Sequence, residues 1–318
     1  QYGRFGTQQQ MFETFKAFHD AVREAGRLTG VPQKIVAPSI GNVEGKDWSA
    51  GNIVTFDPIA FLAYIERNHL RLDALSWHEM PVAEDVPVHV AAARGYFGQH
   101  PKLCDPRCPE IHINEYQGME QSSLPGATVG WLYNLEKANV DWASRACWTL
   151  GGWSSCNFGM DGLLMQDEKT PMANYWVHRT YAGMDATRRL VSKTTDSHSI
   201  VLASKNDTTK EIRLLGGRYC HYGNRTWIDC YVNGVHNGPS ADVTFQVENY
   251  PFDASAVDVE IYRVPNNDNV PTALVAPILV SKTSIAVQQD SSGNNTITGT
   301  IKGFADNDAY YVTLKPSV

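Results

Sequence analysis

No apolar run in this 318-residue chain approaches the roughly 20 residues that a membrane-spanning helix needs. An excess of basic residues is missing too. Twenty-seven Lys and Arg stand against 34 Asp and Glu, a formal charge of -7. Such a surface does not attract phosphate backbones or acidic lipids, so neither nucleic acid nor membrane is expected as a partner. The ten histidines include no HxxxH pair, and Gly151-Gly152 and Gly216-Gly217 lack the spacing of a dinucleotide fingerprint. No phosphate loop or nucleophilic triad is evident, so no cofactor is expected. What is present is the composition of an ordered globular protein, 42% hydrophobic and 19% charged, long enough for two domains and a large core.

The six cysteines fall into near pairs, Cys104 with Cys108, Cys147 with Cys156, and Cys220 with Cys230. Fifteen disulfide pairings exist on paper, and nearest-neighbour pairing is the expectation. A zinc site is the alternative, but the CxxxC has no second close Cys or His pair of zinc-finger spacing. Three Asn-X-Thr sequons, at Asn206, Asn224 and Asn294, agree with an oxidising, secretory origin. The expected location is therefore secreted or extracellular.

Along the chain, Met11, Phe12, Phe15, Phe18, Val22 and Ala25 recur at helical spacing over residues 9–28, and Gly30 supplies a stop. A short β-rich run at 34–40 follows. Asp57-Pro58 opens a helix reaching about His69, and 72–77 reads as a strand. Residues 81–87 read as a loop, 88–97 as a helix, 132–146 as a helix, 147–150 as a strand and 172–190 as a helix. Alternating helices and strands signal a parallel α/β architecture, here with four strands. After about Val191 the pattern changes to short β-prone runs at 200–203, 212–215, 243–247, 257–262, 278–280, 284–287, 296–301 and 309–314. Turns rich in Asn, Asp, Gly and Ser separate them, the pattern of an antiparallel β-sandwich.

The stretch Pro109-Glu110-Ile111-His112-Ile113-Asn114-Glu115-Tyr116 carries most of the functional information. Ile111 and Ile113 alternate with polar residues as a strand requires, and Glu115 falls at its C-terminal end, where (β/α)8 enzymes keep their chemistry. Leu72 to Met80 repeats the design, ending in Trp77-His78-Glu79. Trp153 stands between Gly152 and Ser154-Ser155, with room for its face to stack on a pyranose. Trp77, Trp131 and Trp148 read as core residues rather than sugar platforms.

Ser76-Trp77-His78-Glu79, Asn114-Glu115-Tyr116 and Gly151-Gly152-Trp153, each near a strand end and in this order, resemble retaining glycoside hydrolases of the (β/α)8 superfamily. The resemblance is nearest to family 39, the β-xylosidases and their relatives, and covers roughly residues 1–190. It implies a C-terminal half of a (β/α)8 TIM barrel (strands five to eight) over 1–190, followed by a β-sandwich over 191–318. It also implies that Glu115 is the nucleophile, that His78 binds substrate and that Trp153 lines the sugar pocket. Asn114, Tyr116 and Glu79 join as candidate substrate-binding residues. A retaining enzyme needs one carboxylate to attack the anomeric carbon and one acid, roughly 5 Å away, to protonate the leaving oxygen.

One departure stands out. The family's acid/base lies in an Asn-Glu-Pro motif at the fourth barrel strand, and no Asn-Glu-Pro occurs here. The expectation is that Gln1 follows that missing motif, either inside a longer product or after processing, so that the chain's own N-terminal half is a candidate partner. Were the chain complete, Glu44 or Glu79 would have to serve as the acid. A carbohydrate substrate is the other expected partner. The rival reading, a non-catalytic carbohydrate-binding protein on a degenerate barrel, needs no acid at all. Half a barrel leaves the edges of its first and last strands exposed, together with apolar surface, so this chain alone is expected to aggregate or to pair.

Overall fold

The computed structural model describes residues 7–40, 58–80, 82–117, 121, 124–145, 149–150, 153–154, 162–184, 189–195, 198–219, 240–267 and 272–317. The chain is mixed α/β and groups into two compact units. Gln1–Gly118 and Asn134–Ala146 form the first; Met119–Tyr133 and Cys147–Val318 form the second.

In the first unit, β1 (Val36–Ile40), β2 (Ala74–Glu79), β3 (Glu110–Tyr116) and β4 (Trp142–Arg145) form one sheet in that order, and every neighbouring pair is parallel. Three helices accompany it. Helix α1 (Gln8–Thr29) starts at Thr7, whose hydroxyl accepts from the amide of Gln10, and stops at Gly30, whose φ of 69° suits glycine. Helices α2 (Pro58–Arg67) and α3 (Asp85–Gln99) precede β2 and β3. Phe12 of α1 meets Phe61 and Tyr64 of α2 at ring-centroid distances of 5.6 and 5.2 Å. All six residues of β2 are buried, as a central parallel strand requires. Asp73 ties the strand starts together: its carboxylate accepts from the amide of Ile35 at 2.9 Å and from Arg23 at 2.7 Å. Burial works against that charge, but the amide and the guanidinium outweigh it and hold the carboxyl below its ordinary range.

The second unit has three layers. Its central sheet has six strands in the order β12-β11-β15-β9-β8-β7. These are β7 (Arg189–Leu190), β8 (Ser199–Asn206), β9 (Glu211–Arg218), β11 (Ala256–Val264), β12 (Ile278–Ala286) and β15 (Ala309–Pro316). A second sheet contains β10 (Ala241–Glu248), β14 (Asn295–Phe304) and β13 (Gln288–Gln289). Alternation along the central strands serves two cores. Ile212, Leu214, Val312 and Leu314 face Val247, Ile297 and Ile301 of the second sheet. Leu215, Ile200, Leu202 and Ala309 instead face Ala127 and Val129 of α4 (Pro125–Lys137) and Val177 of α5 (Ala173–Ala182).

The helix layer approaches closely because α4 presents glycine. The amide of Gly126 donates to Asn307 O at 2.7 Å. A Cβ there would meet the carbonyl oxygens of Arg218 and Asp308, the second at 2.8 Å, and one at Gly130 would enter the ring of Tyr219.

Three segments differ from the reading of the sequence. The expected helix over 132–146 is the second half of α4 followed, after Asn139 with φ 53°, by β4, so the fourth parallel strand is Trp142–Arg145 and not 147–150. Residues 147–148 lie outside those described; Thr149–Leu150 (β5) pairs instead with Trp153–Ser154 (β6) in an antiparallel hairpin. Trp142 resembled the continuation of a helix face with Leu132, Leu135 and Ala138 because apolar residues at short spacing fit either period. Second, the helix of 172–190 ends at Ala182, and Arg189–Leu190 pairs with β8. Third, the separate runs at 278–280 and 284–287 form one strand, β12, because Ser281 to Thr283 keep the ladder with β11 despite their polarity.

Two glycine substitutions are expected to move stability in opposite directions. Gly126→Ala forces backbone oxygens apart and is expected to cost about 1–3 kcal/mol. Gly95→Ala, at an exposed position of α3 with nothing within 4 Å, is expected to gain about 0.5–1 kcal/mol from helix propensity. Urea unfolding of both variants checks the sign; a neutral Gly126→Ala would contradict the close approach.

Candidate functional site

The C-terminal ends of β1, β2 and β3 carry the site, and register slips shape it. Pro38 pairs with Ser76 but Ile40 with Trp77, leaving Ser39 as an extra residue in β1. Ile113 pairs with Trp77 but Glu115 with His78, leaving Asn114 extra in β3. A bulge of this kind breaks strict alternation and re-aims side chains. Here it lets two consecutive residues, Asn114 and Glu115, join one network. Ser39 takes φ 54°, in the left-handed region, which is uncommon for a residue with a side chain.

The network runs through four side chains on three strands. Asn114 Nδ2 donates to Ser39 Oγ at 2.9 Å. Ser39 Oγ lies 3.4 Å from His78 Nε2. His78 Nδ1 lies 3.0 Å from Glu115 Oε2. The Ser39 amide donates to Ser76 Oγ at 3.1 Å, which anchors the bulge. The side chains of His78 and Glu115 are 10% and 15% exposed, open enough for a ligand and buried enough to strengthen the pair. Burial lowers the pKa of His78, and the nearby Glu115 carboxylate only partly opposes this. The ring is thus a neutral donor to the carboxylate at pH 7, not an imidazolium.

On the other face of β2, Glu79 sits in a separate buried group. Trp77 Nε1 donates to Glu79 Oε1 at 2.6 Å, and His89 Nδ1 from α3 lies 2.7 Å from the same oxygen. Burial pulls the pKa of His89 down. Its hydrogen bond to Glu79, the charge of Glu79 and that of Asp85 together outweigh this and raise it. Tyr116 pairs in register with Glu79 and is buried.

The structure therefore gathers Glu115, His78 and Asn114 and adds Ser39, which the sequence reading did not single out. Its only signal was a serine closing the apolar run Ile35-Val36-Ala37-Pro38. Glu79 faces the other side of β2, and Tyr116, buried, is its register partner on β3. His89, the charge partner of Glu79, also went unremarked. Trp153 is described as backbone only, and Glu44 lies outside the described residues. Trp77 and Trp131 are buried, as core residues should be. Cys104 and Cys108 form a disulfide; Cys147, Cys156, Cys220 and Cys230 lie outside the described residues. Asn294 is exposed, its amide donating to Asp290, whereas Asn206 is half-buried, its Oδ1 accepting from the amides of Thr208 and Thr209. Asn224 lies outside the described residues. Among those described, no group of three or more His, Cys, Asp or Glu could hold a metal, and no helix is long and apolar enough to cross a membrane.

No family model matches the chain, and no curated protein matches it by sequence. Solved structures do. N2152 from Neocallimastix frontalis superposes with a TM-score of 0.68 at 16% identity, over 97% of this chain and 65% of that one. A glucosidase from Croceicoccus marinus gives 0.64 at 15% identity, over 98% and 65%. The GH39 enzyme from Xanthomonas axonopodis pv. citri gives 0.61 at 14% identity, over 98% and 65%. The chain shares its fold with the matching part of each of these structures. The chain spans slightly less than two thirds of the length of these structures.

His78 and His89 are expected to titrate on opposite sides of the ordinary histidine value near 6.5. A folded pKa that is depressed, as for His78, gives stability present above about 6.5 and lost as pH falls through the folded value. A raised one, as for His89, gives stability present below about 6.5 and lost as pH rises through the folded value. Ring-proton NMR titration, assigned with His78→Gln and His89→Gln, reads both; a shared midpoint would contradict the two environments.

Proposed function

We propose that the chain is the C-terminal part of a secreted retaining glycoside hydrolase, nearest to family 39, with Glu115 as its nucleophile. On this reading the parallel sheet of the first unit is strands five to eight of a (β/α)8 barrel. The antiparallel sheets are an accessory β-sandwich over about 191–318. One observation carries the reading: His78 Nδ1 stands 3.0 Å from Glu115 Oε2 at the C-terminal ends of adjacent parallel strands. The three ordered sequence motifs and the glycoside hydrolase fold support it.

The chemistry follows from that pair. Glu115 attacks the anomeric carbon through one carboxylate oxygen while the neutral N–H of His78 holds the other. The bond to the leaving oxygen breaks, an acid protonates that oxygen, and water later releases the sugar from the ester. Asn114 and Trp153 would contact the sugar, the second by stacking. The acid would come from an Asn-Glu-Pro-type strand preceding Gln1. Supporting this, β1 and β4 are the outer strands of the parallel sheet, and Trp142 on β4 is 66% exposed. The Asn-X-Thr sequons and the Cys104–Cys108 disulfide suit a secreted protein. The substrate class is a plant or microbial polysaccharide or oligosaccharide.

A dinitrophenolate leaving group departs without protonation, so it removes the need for the acid. The chain is expected to react with dinitrophenyl 2-deoxy-2-fluoroglycosides of xylose or glucose and gain one fluoroglycosyl mass on the peptide containing Glu115. Glu115→Gln is expected to abolish labelling with circular dichroism unchanged. Labelling elsewhere, or labelling that survives in Glu115→Gln, would overturn the assignment; a protein that only binds glycans would give no adduct.

A further inference from the structure

Ser39 is held in a conformation that a serine adopts reluctantly, and its hydroxyl fills the one gap between Asn114 and His78. With φ 54°, glycine would serve the backbone better. The amide of Ser39 is already bonded to Ser76 Oγ and needs no hydroxyl of its own. The side chain is therefore the part that requires a reason. Asn114 Nδ2 can only donate, so at 2.9 Å it occupies a lone pair of Ser39 Oγ. The hydroxyl proton is left to point elsewhere, and His78 Nε2 is 3.4 Å away. That distance is long for a hydrogen bond, as such contacts often are before substrate is bound.

We propose that Ser39 is a positioning residue, donating to His78 Nε2 and thereby fixing the ring orientation and the tautomer whose Nδ1–H addresses Glu115. Imidazole nitrogens are coupled in this way: an acceptor role at one fixes the proton on the other. The carboxylate of Glu115 also draws a proton to Nδ1, but in the glycosyl ester that charge is gone. Ser39 keeps the donor in place while the ester exists, so the carboxylate finds it again on release. For its catalytic consequence this inference rests on the reading of Glu115 as nucleophile.

Two measurements separate the inferences. Long-range proton–nitrogen NMR of His78 reads the tautomer without any turnover. In Glu115→Ala the ring is expected to keep its proton on Nδ1, and in Glu115→Ala/Ser39→Gly to move it to Nε2. Loss of the Nδ1 proton in Glu115→Ala alone, or its retention in the double variant, overturns the assignment. Ser39→Gly alone suits the backbone angle and is expected to fold normally. Its rate of labelling by the dinitrophenyl fluoroglycoside is expected to fall about five- to tenfold, the loss of one hydrogen bond. Ser39→Ala is expected to show the same rate loss. An unchanged rate in both variants overturns the positioning role. If the unaltered chain takes no label, the nucleophile assignment fails by itself, and the tautomer series still decides what Ser39 does.

Discussion

One carboxylate held by one neutral imidazole sets the terms for the whole face on which it sits. The contact between His78 and Glu115 requires β2 and β3 to be neighbours, parallel and in a particular register. Glu115 reaches His78 because Asn114 is an extra residue in β3, and Ser39 reaches Asn114 and His78 because it is extra in β1. Each slip gives up ladder regularity. The return is a network in which every polar side chain from Asn114 to Glu115 has a stated donor or acceptor.

The second unit shows a different economy. In its six-stranded sheet, β8 and β9 are buried on both faces, so alternation there sends residues to two cores rather than to core and solvent, while β12 at the edge is largely exposed. Gly126 replaces side-chain interdigitation by near contact of backbones, and Gly130 makes room for the ring of Tyr219. They let α4 lie against the ends of β9 and β15 at a distance that an alanine would forbid. The unit is specified as much by what those positions omit as by the apolar residues around them.

How much was legible in the sequence depends on how local the signal was. Helices α1 and α2 were readable because Gly30 and Pro58 punctuate clean apolar periods, although the cap at Thr7 was not singled out. The strand ending at Glu115 was readable because Ile111 and Ile113 alternate. Strand β4 was not, since four residues following a helix carry no period of their own and Trp142 is mostly exposed. In the site, His78 and Glu115 were visible as titratable residues at strand ends. Ser39 was invisible because its importance lies in a backbone angle and in partners 37 and 75 residues away. Glu79 was a candidate sugar contact whose structural role was also weighed; successive strand residues face opposite ways, and Trp77 and His89 claim its carboxylate.

Histidines 78 and 89 flank the same strand with proton affinities moved in contrary senses. When the unit unfolds near pH 6.5, the first ring takes up charge while the second gives it away. Their proton uptake and release cancel only near that pH; below it the first ring alone costs stability, and above it the second does. As far as these two rings set it, a calorimetric midpoint peaks near pH 6.5, declining on the acid side with proton uptake on unfolding and on the alkaline side with proton release.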